Sequence, residues 1–417
     1  MAETTQLGVG LLGFGNVGRA VLDLLIANQS IIRRRAGCGV VATAALVRDP
    51  ARHLGTVPAE LRLTTDVGTM LADPGIHVVV DAMGGLHPAR EYVLQALASG
   101  RPAVLANKEL LATAGRELFA AAAHAGVDLF FEASVCSGMP VLRALRDGLA
   151  GDRVTGLAGV LNGTTNYVLT RMESGVPLDR AIAEAQAAGY AETDPRSDLE
   201  GRDAAWKLAI LSSIAFGRRV LPGLVASRGL DGLAGGDLES ALGMGLRLKQ
   251  VAMARLTGEG AVEAWVAPVF VPADHPLARI EGVENGLMLS AAAAGRIVLT
   301  GPGAGGPSAA SAIVADLIEA ARNLRQGVRS SGCVCDGEAC AAGRERPARF
   351  WMRLDGPDAA TGPSLDGIPV ERSVAAGGQV FVITGPTEPS RLEGLAHARG
   401  APRPIPIFEE PGTPVSL

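Results

Sequence analysis

The chain has 417 residues, 48% of them hydrophobic and 19% charged, with a formal net charge of −5. This composition excludes intrinsic disorder, and the mild acidity gives no basis for a nucleic-acid or anionic-membrane partner. The length calls for two or three domains, and 54 glycines against 4% aromatic residues suit a closely packed α/β protein rich in turns.

Met1 to Gln6 runs straight into a strand pattern, with no charged leader and apolar stretch before it. No apolar run reaches the roughly 18 residues needed to span a bilayer, so a soluble, cytoplasmic protein is expected. Five cysteines do not make a disulfide framework. Cys333, Cys335 and Cys340 cluster, but three thiolates without a neighbouring histidine fall short of the four ligands of a structural zinc site. Cys136 has no accompanying Cys–His arrangement and reads as a small buried thiol.

In chain order, Leu7 to Leu12 reads as a short buried strand. Gly13-Phe14-Gly15-Asn16-Val17-Gly18 follows at once, and then a helical pattern of Ala20, Val21, Leu24 and Leu25. The glycines Gly13, Gly15 and Gly18 permit a tight turn and a close approach of backbone to a pyrophosphate at a helix N-terminus, which is dinucleotide binding. The second strand, Val40 to Val47, ends in Arg48-Asp49. An acidic residue there holds the ribose 2′-hydroxyl of NAD and an arginine accommodates the 2′-phosphate of NADP; Arg48 stands first, which favours NADP and leaves NAD open. Strands at Ile76 to Val80, Pro102 to Leu105 and Asp128 to Phe131 alternate with helices, one of them Glu109 to Ala125, and predict a doubly wound parallel sheet. Gly84, Asn107 and Lys108 fall just past strand ends, where such sheets bind ligands. Glu132 to Pro140 is a turn of small residues with little to pack, and its backbone carbonyls are expected to be open to a ligand or ion.

From Val154 the pattern changes. A strand to Leu161 leads into Asn162-Gly163-Thr164-Thr165-Asn166-Tyr167, where hydroxyls and backbone N–H groups converge at a helix start, and a helix Leu178 to Ala188 follows. A charged loop, Gly189 to Gly201, carries Glu192 and Asp198. In the helix that runs on to about Phe216, Asp203 and Lys207 stand four apart on one face. A carboxylate and an ammonium presented together suit gripping a small zwitterion and moving a proton; an ordinary surface ion pair is the alternative. Leu246 to Leu256, Val262 to Val271 and Gly286 to Thr300 read as antiparallel strands of a mixed α+β domain. Gly301 to Gly306 opens a helix, Ser308 to Leu324, that returns to the nucleotide domain. Beyond Gly327 come two strands, Arg349 to Leu354 and Gln379 to Thr384, and a loose proline-rich tail. The expected division is therefore a nucleotide-binding domain over 1–140, a substrate and dimerisation domain over 141–306, the returning helix over 307–326, and a linker, small module and tail over 327–417.

These motifs, in this order, resemble the homoserine dehydrogenase family over about residues 7–325: the Gly13-to-Gly18 turn, Ala106-Asn107-Lys108, Glu132-Ala133-Ser134-Val135 with Gly138 and Pro140, Leu161 to Tyr167, Gly189 to Lys207, and Gly303-Ala304-Gly305. The resemblance implies reversible hydride transfer between L-homoserine and L-aspartate 4-semialdehyde with NAD(P)(H), on the route to threonine, methionine and isoleucine, in a homodimer or homotetramer. It places the catalytic lysine at Lys207, a second lysine at Lys108, and acidic positions that hold the substrate amino group and orient the lysine at Asp198 and Asp203. Further substrate contacts fall on Glu192, Tyr190, Gly163 and Thr164, and cofactor contacts on Asn16, Val17, Arg48, Gly84, Lys108 and Gly305. A sodium-type ion would take backbone oxygens of Glu132, Val135, Ser137 and Met139. Cys136-Ser137 and Met139 depart from the small residues usual there, and Asp81-Ala82-Met83 is an unusual form of that strand end. Residues 345–400 resemble, faintly, a degenerate ACT module, the ligand-binding module that senses threonine in many bacterial members, with its middle helix lost. Two other readings are an oxidoreductase acting on a different amino-aldehyde and a nucleotide-binding regulator that has lost catalysis. The joint presence of Glu192, Asp198 and Lys207 argues against both.

Overall fold

A computed structural model describes residues 6–53, 55–257, 261–330, 347–356 and 364–411, and the chain divides into two compact units. The first holds the chain as far as Ala150, together with Ser213–Pro222 and the helix that follows Gly301; the second holds Gly151–Ser212, Gly223–Thr300 and the C-terminal section.

The first unit is built on six short parallel strands: β1 Gln6–Leu12, β2 Gly39–Leu46, β3 Arg62–Thr64, β4 Val78–Asp81, β5 Ala103–Leu105 and β6 Leu129–Phe130. Their order is β3-β2-β1-β4-β5-β6, so the winding reverses between β1 and β4 and opens a crevice at the carboxyl ends of those strands. Val9, Leu11, Val78, Val80 and Val104 are buried, as strands covered by helices on both faces require. The helices are α1 Asn16–Ala27, α2 Gln29–Ala36, α3 Val67–Leu71, α4 Ala89–Ala98, α5 Lys108–Ala125 and a short α6 Val141–Arg143. The returning helix spans Gly306–Gln326, a little longer than the sequence pattern suggests, and ends at a left-handed Gly327. Its small residues Ala310, Ala320 and Ala321, with Ile313 and Leu317, join the core that contains Val21 and Leu25 of α1. The edge strand β3 is too short and polar to have shown any periodicity.

The second unit has a mixed sheet of β7 Val154–Val160, β8 Ala226–Ser227, β9 Leu246–Leu256, β10 Val262–Pro272, β11 Glu284–Ala291 and β12 Gly295–Pro302. The order is β12-β11-β7-β9-β10-β8. Its helices are α7 Gly163–Glu173, α8 Leu178–Ala187, α9 Arg196–Leu199, α10 Arg202–Phe216 and α11 Gly235–Gly243.

A third, antiparallel sheet joins β13 Phe350–Asp355, β14 Ser364–Leu365, β15 Ile368–Ala376, β16 Gln379–Thr384 and β17 Ile405–Pro406 in the order β14-β15-β16-β13-β17. One face, with Met352, Leu354, Val380 and Val382, packs against Leu392 and Ala396 of a helix over Pro389–Ala398. The other face presents Trp351, Phe381 and Ile383, which enter one core with Val168, Leu169 and Met172 of α7 and Leu248 of β9. The Trp351 ring lies 4.9 Å from that of Phe270 and 5.4 Å from that of Phe381. This corrects the expectation of a loose tail. Ile405 pairs with Trp351, the Phe408 N–H donates to Phe270 O at 2.8 Å, and Ile407 and Phe408 are buried. Prolines hid this segment because they lack donors, yet an edge strand tolerates them. The cluster Cys333, Cys335 and Cys340 lies outside the described residues; among those described, no helix is long and apolar enough to cross a membrane.

Candidate active site

In the first unit, the five glycines expected at the cofactor sort into two kinds. Gly13, at φ +95°, and Gly18 are fixed by packing: a Cβ on Gly13 would come 3.0 Å from Ala82 O, and one on Gly18 would come 2.4 Å from Gly13 O. At Gly15, Gly84 and Gly305 a Cβ would meet nothing within 4 Å, so the space before those three is open. Gly15 is the N-cap of α1 and offers no side chain to its first turn, so the backbone N–H groups there stay available to an anion. Asn16 is exposed, and Val17 packs against the core. The returning helix begins close by, since a Cβ on Gly306 would lie 2.9 Å from Asn16 O. These features fit a dinucleotide.

Arg48 is exposed just past the end of β2. The neighbouring Asp49 carboxylate is already engaged: it accepts the Ala51 N–H at 3.0 Å and pairs with Arg52 at 3.4 Å. Asn107 caps α5 by accepting the Leu110 N–H at 3.1 Å and donates to Gly85 O at 2.7 Å, which ties the Gly84-Gly85 turn to the helix start where Lys108 stands half-buried. Asp81, at the end of β4, accepts the Met83 N–H at 2.9 Å. Burial pushes its carboxyl up to about 7.

The segment Glu132 to Met139 is wound tightly. Cys136 and Ser137 both adopt left-handed backbone, at φ 55° and 51°, a conformation that costs energy in residues with a Cβ. The Glu132 carboxylate accepts the Leu142 and Arg143 N–H groups at 2.9 and 3.0 Å, while Asp316 of the returning helix accepts the Glu132 N–H at 3.0 Å and pairs with Arg143 at 2.8 Å. Burial raises the carboxyl of Glu132 to about 7 and that of Asp316 to about 6. The carbonyls of Glu132 and Met139 accept turn hydrogen bonds from Val135 and Val141 at 3.4 and 2.8 Å, and the buried Ser137 hydroxyl has no hydrogen-bond partner among the described residues. No group of three or more His, Cys, Asp or Glu side chains among the described residues is placed to hold a metal.

In the second unit, a polar cluster forms where β7 meets α7. Lys207 of α10 is 8% exposed; its ammonium donates to Leu161 O at 2.7 Å and pairs with Asp203 at 2.8 Å. Asn162, the N-cap of α7, accepts the Thr165 N–H at 2.8 Å. Its amide donates to Asp198 Oδ1 at 2.7 Å and to Asp203 Oδ2 at 2.8 Å. The buried Asn285 of β11 donates to Leu161 O at 3.0 Å, and its amide oxygen has no partner among the described residues. Gly163 admits no side chain, because a Cβ would stand 2.6 Å from Val283 O.

The loop before Asp198 is pinned by its backbone. Thr164 donates to Tyr190 O at 2.6 Å, Thr165 to Asp198 O at 3.1 Å, and Gln186 to Glu192 O at 3.1 Å. The cluster thus unites Asp198, Asp203 and Lys207. Tyr190 is exposed, with its ring 5.1 Å from that of Tyr167, and the Glu192 side chain stands exposed. Asn162 and Asn285 were not singled out from the sequence. The position of Asn162 directly before a helix start was the available signal, whereas nothing in the sequence marks Asn285.

Two family models match the chain: homoserine dehydrogenase over residues 140–318, and homoserine dehydrogenase, NAD binding domain, over residues 13–132. The homoserine dehydrogenase of Mycobacterium tuberculosis is 44% identical over 332 residues, which is 78% of this chain and 75% of that one. Among solved structures, a homoserine dehydrogenase from Thiobacillus denitrificans matches with a TM-score of 0.89 at 33% identity, covering 97% of this chain and 98% of that chain. A hyperthermophilic archaeal homoserine dehydrogenase in complex with NADPH matches with a TM-score of 0.64 at 26% identity, covering 76% of this chain and 97% of that chain.

Proposed function

The chain belongs to the homoserine dehydrogenase family, and from that premise we propose that it reduces L-aspartate 4-semialdehyde reversibly to L-homoserine, on the route to threonine, methionine and isoleucine, with Lys207 as the proton donor and acceptor. It is an oxidoreductase with a nicotinamide-nucleotide-binding unit. The observation that carries the proposal is the buried Lys207 ammonium, held by Leu161 O at 2.7 Å and Asp203 at 2.8 Å.

Those two bonds use two of the three ammonium donors. The third is presented to the substrate's carbonyl oxygen, where a fixed positive charge stabilises the developing alkoxide and then protonates it. Asp203 orients the ammonium. Asp198 and Glu192 supply negative charge to the substrate's own ammonium, while Gly163, Thr164 and Tyr190 shape the surrounding wall; their contribution is orientation. The bound nicotinamide nucleotide supplies the hydride. Its pyrophosphate falls to Gly13, Gly15, Asn16, Val17 and Gly18, with Gly84, Lys108 and Gly305 as further contacts. Arg48 serves a ribose 2′-phosphate, which makes NADP the preferred form, since Asp49 is engaged by its own turn. A monovalent cation such as sodium is proposed on the backbone oxygens of Glu132, Val135, Ser137 and Met139, and assembly as a homodimer or homotetramer.

The test is a set of initial rates of NADPH and NADH oxidation with aspartate semialdehyde. Rapid turnover with a preference for NADPH is expected. No turnover with either nucleotide, from folded protein that still binds nucleotide, would overturn the reading in favour of another amino-aldehyde.

A further inference from the structure

We propose that Asn162 is a positioning residue of this reaction: its side-chain amide holds Asp198 and Asp203 in register, so that Lys207 keeps one direction. The inference rests on the reading of Lys207 as proton donor and deepens it. A primary amide has two N–H donors and one acceptor oxygen. At Asn162 all three are spent, on three different parts of the fold. The oxygen caps α7 through the Thr165 N–H at 2.8 Å, one N–H reaches Asp198 Oδ1 in α9 at 2.7 Å, and the other reaches Asp203 Oδ2 in α10 at 2.8 Å. The Asp203 oxygen that receives Asn162 is the one that pairs with Lys207 at 2.8 Å.

Asn162 is therefore the common neighbour of two carboxylates and reaches the lysine through one of them. It stands 36 and 41 positions from those carboxylates in the chain, so it is the fold and not the local sequence that brings it to them. These contacts join the charged groups of Asp198, Asp203 and Lys207. Two carboxylates near each other in a buried site repel unless donors stand between them, and without donors one of them takes up a proton. Asn162 supplies those donors. It preserves the charge of Asp203 that anchors the lysine and the charge of Asp198 that the substrate ammonium meets.

Capping and positioning can be separated by substitution. Serine caps a helix about as well as asparagine but has no amide to give to two carboxylates. Asn162→Ser is expected to keep the fold and the KM for NADPH, with a melting temperature lowered by a few degrees because the buried Asp203 loses a donor. Its kcat should fall on the order of 10²-fold, the scale set by small misplacements at a reacting centre, and the acid limb of its kcat/KM profile should move to higher pH. Asn162→Asp, which keeps the cap and adds a third carboxylate, is expected to fall further and shift more. Carboxyl 13C NMR titration of Asp198 and Asp203 in substrate-free protein reads the same coupling without turnover. A wild type that titrates as described yet reduces no aspartate semialdehyde would sink the functional reading alone. Asn162→Ser with unchanged kcat, an unchanged pH profile and unchanged carboxyl titrations would reduce Asn162 to a helix cap and overturn this proposal.

Discussion

The turn after β1 and the cluster after β7 occupy equivalent places, each where a strand stops and a helix begins, yet they are built in opposite ways. After β1 the helix start is left bare: Gly15 gives no cap, and no protein atom comes within 4 Å of where its Cβ would be. After β7 the helix start is closed by Asn162, and the capping side chain goes on to organise two carboxylates. A bare N-terminus keeps its N–H groups for an incoming anion. A capped one gives up that role and becomes a foundation for side-chain chemistry.

Three substitutions break or sharpen this contrast. The largest effect is expected for Lys207→Ala, which removes the group the capped junction exists to hold. Its kcat with aspartate semialdehyde should drop by about 10³-fold or more, with NADPH affinity unchanged; turnover near the wild-type rate would refute a proton role for Lys207. Next comes Gly15→Val. The added Cβ meets no protein atom within 4 Å, so the melting temperature should hold while NADPH affinity falls by roughly 10-fold or more, about 1.4 kcal/mol in binding. Equal affinity by fluorescence titration would show that the open space at Gly15 is not the cofactor's.

The smallest effect concerns a second buried lysine in the same unit. Lys249 of β9 is fully buried, more so than Lys207, and its hydrogen bonds go to neutral acceptors, Ile280 O at 2.6 Å and Asn166 Oδ1 at 3.3 Å. Burial pushes its ammonium down to about 8 from 10.5. The folded state thus releases this proton between about 8 and 10.5, where the unfolded chain still holds it. The penalty for burying the charge is present in full below about 8 and fades as the pH rises toward 10.5. Lys249→Met should accordingly be more stable than the wild type at pH 7, on the order of 1 kcal/mol by urea unfolding once the two lost hydrogen bonds are set against the relieved burial of charge, and the gap should narrow by pH 10. A gap independent of pH would show that Lys249 carries no such penalty.

The same contrast explains what the sequence made legible. The glycine turn is written in six consecutive residues, and Asp203 and Lys207 are brought together by helical spacing alone, so both could be read locally. Asn162 meets its carboxylates 36 and 41 positions on, and Asn285 meets Leu161 across 124, so their pairing is a property of the folded sheet. Glu192 was expected among the substrate contacts; here its backbone carbonyl is held by Gln186 and its side chain stands exposed. Strand β15 escaped notice because nearly every residue from Pro369 to Ala376 is exposed, which erases the alternation that marks a half-buried strand.

The third sheet has a consequence for how the chain can be cut. Trp351, Phe381, Ile383, Ile405 and Ile407 are part of the same core as α7, the helix that Asn162 caps. A chain truncated after Gly327 would strip an aromatic wall from that core and leave Phe270, Leu248 and Met172 facing water, at a cost of the kind that large-to-small core substitutions exact several times over. Such a fragment should misfold or aggregate rather than survive as a smaller enzyme. The chain depends on its C-terminal section as the floor beneath α7.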